Sequence, residues 1–360
     1  MRIGLFIYGS LETRSGGYFY DRQLVAALRR REHEVVVLSQ SWGRYPRRLL
    51  QNHDRTLIRR IAGGRFDLLL QDELNHPSLV LLNRALCRRT ALPIVAIVHH
   101  LRSSEVYPPL QLRFYRAVER HYLRGVGGFI FNSDTTRAAV SALLPAGLPP
   151  HVVAVPGANP ALSGAGAPRS PQAGDPLRVL FVGNLQPRKG LHHLLAALDR
   201  LPRERWTLDV VGDALGDPAY AAQVRAQAPA GGIIQWHGAL PDPLLAARYA
   251  AADVVCVPSD YEGYGIVYLE GMAAGCIPVA TTAGAAGEVV GADFAPCLVP
   301  PGDAAALARL LGRLQADSDR RRSLSVAALS RAAAHPGWAL GMDAAVAYLE
   351  MMRGGGRWSA

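Results

Sequence analysis

Short apolar runs rich in β-branched residues alternate along this chain with longer amphipathic stretches. In the first half, Ile3–Tyr8, Val35–Ser39, Leu68–Leu70, Ile94–Val98 and Phe129–Phe131 read as buried strands, with Val152–Val155 a further one ahead of Pro156. Between them Tyr18–Arg30, Ser78–Arg88, Gln111–Leu123 and Thr135–Leu144 have helical periodicity. Gly157–Pro176 is rich in Gly, Pro, Ala and Ser and interrupts the alternation. It then restarts with strands at Leu177–Val182, Leu208–Val211, Ile233–Trp236, Val254–Val257 and Ile277–Ala280, and helices at Asp303–Leu314, Asp317–Ala334 and Trp338–Met352. Strands separated by helices pair in parallel, because only a crossover of helical length returns the chain in the same direction. The pattern predicts an α/β protein of two doubly wound parallel sheets. The first domain spans 1–160, a linker 161–176, the second domain 177–335, and a closing helix 336–353.

Composition agrees with a globular chain. At 360 residues, 49% hydrophobic and 19% charged, it can bury two cores, and no apolar run reaches the length of a membrane span. Ile3–Tyr8 is too short for a signal-peptide core and reads as a first strand. Cys87, Cys256, Cys276 and Cys297 lack metal-type spacing, and two lie in predicted strands, which fits reduced packing residues of a cytoplasmic protein.

Charge adds two points. Residues 1–160 hold 22 Arg against 11 Asp and Glu, whereas the rest is nearly balanced. A basic first half suits an acidic acceptor or peripheral contact with an anionic membrane at its inner face; a solvated surface is the alternative. No basic stripe with interleaved aromatics points to nucleic acid. The second point is sharper: of 39 basic residues only Lys189 is a lysine, and it lies in a loop framed by Gly183 and Gly190.

The chemistry gathers in VVCVPSDYEGYGIVYLEGMAAGCIPVATTAGAAGE, Val254 to Glu288. After a buried strand, Pro258, Ser259 and Asp260 break the run, Gly263 and Gly265 permit a tight path, and a helix begins at Ile266. Its N-terminus offers unpaired N–H groups and a partial positive charge suited to phosphate, near Tyr264, Ile266 and Val267. Glu262 and Glu270 bracket it and could accept hydrogen bonds from sugar hydroxyls. A solvated loop residue and an exposed helix residue are the plain alternatives. Leu177–Val182 with GNLQPRKG makes a second strand–loop–helix unit, in which Arg188 and Lys189 could neutralise a diphosphate. Gly212–Asp213 and Trp236-His237-Gly238 likewise stand at the carboxyl ends of two further strands, where ligand loops or plain turns occur. Ser15-Gly16-Gly17 opens the first helix and could aim backbone N–H groups at phosphate, or simply turn the chain.

The run PSDYEGYGIVYLEGMAAGCIPVAT resembles the signature of the retaining glycosyltransferases of family 4, of the two-domain GT-B fold with two Rossmann-like domains facing an interdomain cleft. The resemblance implies that Glu262 meets the donor sugar and Glu270 the nucleotide ribose, and that the last helix crosses back to the first domain. Asn184 stands where the family has Arg, so Arg188 would supply that charge. Gly16 and Gly17 match the family's Gly-Gly loop. His99 matches a His expected to meet the donor sugar or the acceptor, whereas His100 stands where Asp is usual. Apart from the resemblance, Asp72, Glu73 and His76 follow a strand and could line the acceptor side, or the segment could serve only to cap a helix through Asn75 ahead of Pro77. Of the family's Gly-Gly pair before Glu288, only Gly284 remains.

The implied reaction moves a sugar from a UDP- or GDP-linked donor to an acceptor hydroxyl of a glycan, lipid or small molecule, with retention. The donor would lie on Gly183, Asn184, Gly212, Asp213, His237, Gly238, Ser259, Gly263 to Val267 and Glu270. His99, Arg188, Lys189 and Glu262 would carry the chemistry. The family needs no metal and no bound cofactor, and the sequence shows no convergent ligand set for one. A nucleotide-sugar 2-epimerase or a non-catalytic protein of the same fold are the alternatives. A Rossmann dehydrogenase is disfavoured, because GSLETRSGG lacks the G-x-G-x-x-G spacing.

Overall fold

A computed structural model of the chain describes residues 1–90, 92–162, 166–229 and 233–354. Twelve strands form in those residues: β1 Arg2–Tyr8, β2 Glu34–Gln40, β3 Leu68–Asp72, β4 Ile94–Val98, β5 Gly128–Phe131, β6 His151–Val153, β7 Leu177–Val182, β8 Trp206–Val211, β9 Ile234–Gly238, β10 Val254–Cys256, β11 Ile277–Thr281 and β12 Leu298–Val299. They make two six-stranded sheets ordered β2-β1-β3-β4-β5-β6 and β12-β11-β10-β7-β8-β9, and every pairing is parallel. Central strands β3 and β4 are buried along their whole length, as expected where helices cover both faces.

The chain divides into two compact units, Met1–Pro156 with Pro336–Ala360, and Gly157–His335. In the first, the core lies between the sheet and its helices around Phe6, Leu69, Leu82, Ala96, Val98, Tyr122 and Phe129. The helix Trp338–Gly354 belongs to this unit. Tyr348 donates to the carbonyl of Pro150 at 2.6 Å, and Gly341 lets the helix approach Val155, whose carbonyl would lie 2.3 Å from an added Cβ. Glu350 meets His33 at 3.0 Å on the opposite side.

In each sheet the order reverses once, between β1 and β3 in the first and between β7 and β10 in the second. At such a point the crossovers leave in opposite directions, and a crevice opens outside the carboxyl ends of the two strands. The loops carrying Lys189 and Glu262 follow β7 and β10, so the second sheet's crevice lies between them.

Two expectations need correction. The Gly/Pro-rich stretch, of which 163–165 lie outside the described residues, is part of the second unit and not a free linker. Arg169 fixes it, donating to the carbonyls of Tyr249 at 2.7 Å, Ala252 at 2.8 Å and Ala274 at 3.0 Å. The sequence pattern also passes over the short helices Tyr45–Leu50 and Arg55–Gly63, where Pro and Arg dilute the apolar stripe.

Replacing Arg169 by Ala leaves three carbonyls without their charged donor. We expect a loss of about 3 kcal/mol and a fall in Tm of roughly 6 to 12 °C by scanning calorimetry. An unchanged Tm would mean that this segment contributes nothing to the second unit.

Candidate functional site

The β7 and β10 loops touch through their backbones. Gly190 adopts a left-handed φ of 69°, and a Cβ there would stand 2.0 Å from the carbonyl oxygen of Pro258. The Asp260 N–H donates to the carbonyl of Arg188 at 2.8 Å. Glu262 is anchored in turn to the loop after β11, where Gly284 has φ 77° and its added Cβ would lie 2.1 Å from the Glu262 carbonyl. The N–H of Ala285 donates to that same carbonyl at 2.9 Å. The single Gly retained in TTAGA therefore sits where the approach forbids a side chain.

The side chains converge on that frame. Lys189 Nζ lies 2.7 Å from Glu262 Oε2, and Ser259 Oγ donates to the same oxygen at 3.0 Å. Arg188 donates to the carbonyl of Tyr261 at 3.2 Å. Burial pushes the Glu262 carboxyl up, but the charges of Lys189 and Arg188 and the hydrogen bonds from Lys189 and Ser259 outweigh it. The group is held below the usual carboxylate range. Gly265, at φ 98°, then starts the helix Ile266–Ala273, whose first N–H groups have no intrahelical partner.

Glu270 differs in kind. It lies inside that helix, buried, and accepts from Tyr249 Oη at 2.9 Å. Burial raises its pKa to about 7 against the lowering effect of that bond. Neither acid is the solvated residue that the plain alternative would have made it.

Other expected residues fall less centrally. Gly183, Gly212 and Gly238 stitch three neighbouring strand ends, with Gly183 N–H donating to Val211 and Gly212 N–H to Gly238, both at 2.9 Å. Asn184 is half-buried beside them. The Asp213 carboxylate caps its own turn through the Leu215 N–H, and His237 is bound to Asp209 of β8. Tyr264 is buried with its hydroxyl 2.6 Å from His335 Nε2, so Gly263 and Gly265, not the ring between them, shape the loop. Glu288 is exposed on the short helix Ala286–Val290.

In the first unit, Gly16 and Gly17 form the first turn of the helix Gly16–Arg30, capped by Ser15. Gly17 makes room for the His99 ring, which would lie 3.2 Å from an added Cβ. His99 Nε2 is 3.2 Å from Asp21 Oδ1, and His100 Nε2 is 3.0 Å from Glu105. Asp72 and Glu73 are buried at the carboxyl end of β3, pushed up by burial to about 7 and about 8. His76 is buried too, with Nε2 at 2.9 Å from Tyr45 Oη. Ligand-type atoms of Asp21, Asp72 and His99, and of Glu73, His76 and Glu119, lie within 4.8 Å of one another. The sequence shows no such convergence, because its members come from segments far apart along the chain.

Sequence reasoning passes over Asp21, Arg169 and Tyr249. For Asp21 a signal exists: it falls on the stripe of Tyr18, Leu24, Val25 and Leu28, where an acid is out of place.

The glycosyl transferases group 1 family model matches residues 167–331. The phosphatidyl-myo-inositol mannosyltransferase of Mycolicibacterium smegmatis is 30% identical over 352 residues, covering 89% of this chain and 86% of that one. The D-inositol 3-phosphate glycosyltransferase of Xylanimonas cellulosilytica is 38% identical over 177 residues, 48% of this chain; the chain spans only 41% of that relative's length. Among solved structures, a sucrose-phosphate synthase from Thermosynechococcus elongatus superposes with a TM-score of 0.82 at 20% identity, covering 98% of this chain and all of that one. The HepE protein of Anabaena in complex with UDP-glucose does so with 0.73 at 22%, with the same coverage. These likenesses show the GT-B fold.

Replacing Lys189 by Met strands the buried Glu262 carboxylate, a change that costs about 3–5 kcal/mol. In the wild type the folded-state pKa lies below the unfolded one, so this stability is present above pH 4.5 and lost as pH falls through the lower folded value. The Tm gap between wild type and K189M should therefore be wide at about pH 7 and narrow only as pH falls below about 4.5. A gap independent of pH would rule out the ion pair as its cause.

Proposed function

Because the chain belongs to the group 1 glycosyltransferases, we propose that it transfers a sugar from a UDP- or GDP-linked donor to an acceptor hydroxyl, with retention at the anomeric carbon and without a metal. The observation that carries this reading is the Lys189–Glu262 pair, seated at the switch point beside the start of the helix Ile266–Ala273. The pair sets one cation and one helix end at a place suited to a diphosphate.

The roles are those that the family resemblance implies. Lys189 and Arg188 neutralise the phosphates as the sugar–oxygen bond breaks, which is the service a metal would otherwise give. Glu262, kept ionised by Lys189 and Ser259, accepts from the sugar hydroxyls. Glu270, held by Tyr249, accepts from the ribose. His99 contacts the sugar or the acceptor from the first unit. For retention we adopt front-face departure, in which the leaving phosphate takes the acceptor's proton. The 2-epimerase and the binding protein remain the competing readings, and the UDP-glucose bound by HepE favours a uridine donor.

The acceptor we assign to the first unit, with peripheral contact at the inner face of the membrane. Leu50, Leu110 and Phe114 are exposed beside Arg47, Arg113 and Arg116, and Tyr45 ties their two helices together, 6.0 Å from the Phe114 ring. No helix among the described residues is long and apolar enough to cross a membrane. A basic, apolar face of this kind suits an anionic surface.

Two measurements test this. A thermal-shift screen of UDP, GDP and ADP should single out one nucleotide, with stabilisation of about 2.7 kcal/mol at 100 times its Kd. Turnover with the matching nucleotide sugar should yield an anomerically retained product in the presence of EDTA. Donor interconversion without any acceptor would favour the epimerase, and failure of all three nucleotides would sink the assignment. Separately, the protein should float with vesicles of phosphatidylcholine and phosphatidylglycerol but not of phosphatidylcholine alone. Leu110→Asp with Phe114→Asp should abolish flotation; equal flotation of this variant would remove the membrane from the picture.

A further inference from the structure

Asp21 is a carboxylate on a face that is otherwise apolar. The helix Gly16–Arg30 buries Tyr18, Tyr20, Leu24, Val25, Ala27 and Leu28, and Asp21 lies among them with no exposed surface. An acid in such a place is costly unless it is paired. Its Oδ1 is 3.2 Å from His99 Nε2, and its Oδ2 meets no hydrogen-bond partner among the described residues. Its charge is thus directed at the imidazole.

The imidazole is held on its other sides as well. Gly17 lies flat against the ring, Tyr20 meets it edge-on at 5.1 Å, and the His99 carbonyl accepts from Asn132 Nδ2 at 2.9 Å. Nδ1 makes no hydrogen bond among the described residues, and the side chain keeps 14% exposure. One nitrogen is anchored and the other is left open. A buried acid fixes tautomer and orientation in this way in histidine-dependent catalysis generally.

We propose that Asp21 is a positioning residue for His99, accepting from Nε2–H so that Nδ1 is the nitrogen offered to a hydroxyl of the bound substrate. The proposal rests on the reading of His99 as a substrate contact. The other charged groups facing His99 are Asp72 and Glu73, both from the end of β3. Burial pulls the His99 pKa down, but the hydrogen bond and charge of Asp21, with Asp72 and Glu73, raise it above 6.5 on balance. Asp21→Asn keeps the shape, removes the charge and allows either tautomer.

The test uses the full chain with isotope-labelled histidine. His99 ring resonances are followed by NMR from about pH 5 to pH 9, with and without EDTA. Hydrolysis of UDP-glucose and of GDP-mannose is profiled over the same range. We expect wild-type His99 to hold the Nε2–H tautomer and titrate above its ordinary value. In D21N the titration should move down, the tautomers should mix, and hydrolysis should fall on the order of 10²-fold with nucleotide Kd unchanged. D21E should recover part of both. A His99 titration in D21N that matches the wild type overturns the proposal, and so does a shift that appears only with EDTA, which would make Asp21 a cation holder. Nucleotide binding resides in the second unit, so its failure in the wild type would instead strike the sugar-transfer reading.

Discussion

The donor-side site depends on close approach between backbones that only glycine allows. Gly190 lies against Pro258, and Gly284 against Glu262, at separations that leave no volume for a Cβ. These contacts bring three strand-end loops within reach of one another, and only then can Lys189 extend to Glu262. Both glycines also hold left-handed φ values that other residues adopt at a cost. Tight backbone contact and a buried ion pair reinforce each other: the first excludes water, and exclusion of water makes the second strong.

The two carboxylates of the helix-start loop show what that environment does. Glu262 and Glu270 lie eight residues apart and are equally buried, yet their protonation tendencies diverge. Glu262 has a lysine, an arginine and a serine, and stays ionised; Glu270 has the Tyr249 hydroxyl and the Asn159 backbone but no cation, and is pushed to about 7. Burial supplies the same upward push to each, so the difference comes from the partners. Two acids in one loop can then serve different ends, one as a fixed anion and one that a ligand's hydroxyl donors could switch to the charged form near neutral pH.

Much of the fold was legible because parallel sheets write themselves as uninterrupted apolar runs. Val254–Cys256 and Ile277–Thr281 stand out in the sequence for that reason, whereas the two-residue β12 cannot. The Lys189 loop and the Glu262 loop were legible through Gly spacing and the rarity of lysine. Their contact was not, since it depends on strand order. Side-chain direction was the weakest point. His237, Asp213 and Tyr264 lie in strand-end loops, but Asp209, a turn N–H and His335 claim their polar atoms. A strand-end position fixes where a backbone goes; which neighbour captures its side chain is decided by residues far away in sequence.

The first unit carries this one step further, because its summed charge misrepresents its interior. Residues 1–160 are strongly basic, yet four of their eleven acids, Asp21, Asp72, Glu73 and Glu119, are buried together near the carboxyl ends of β3 and β4, while many of the arginines are exposed. Burial raises three of these acids to about 7 or 8 and drives His76 down to about 4. Several of these buried acids therefore exchange protons near neutral pH, within a basic exterior. A basic exterior attracts anions at long range, whereas the buried acids beneath it change charge near neutral pH.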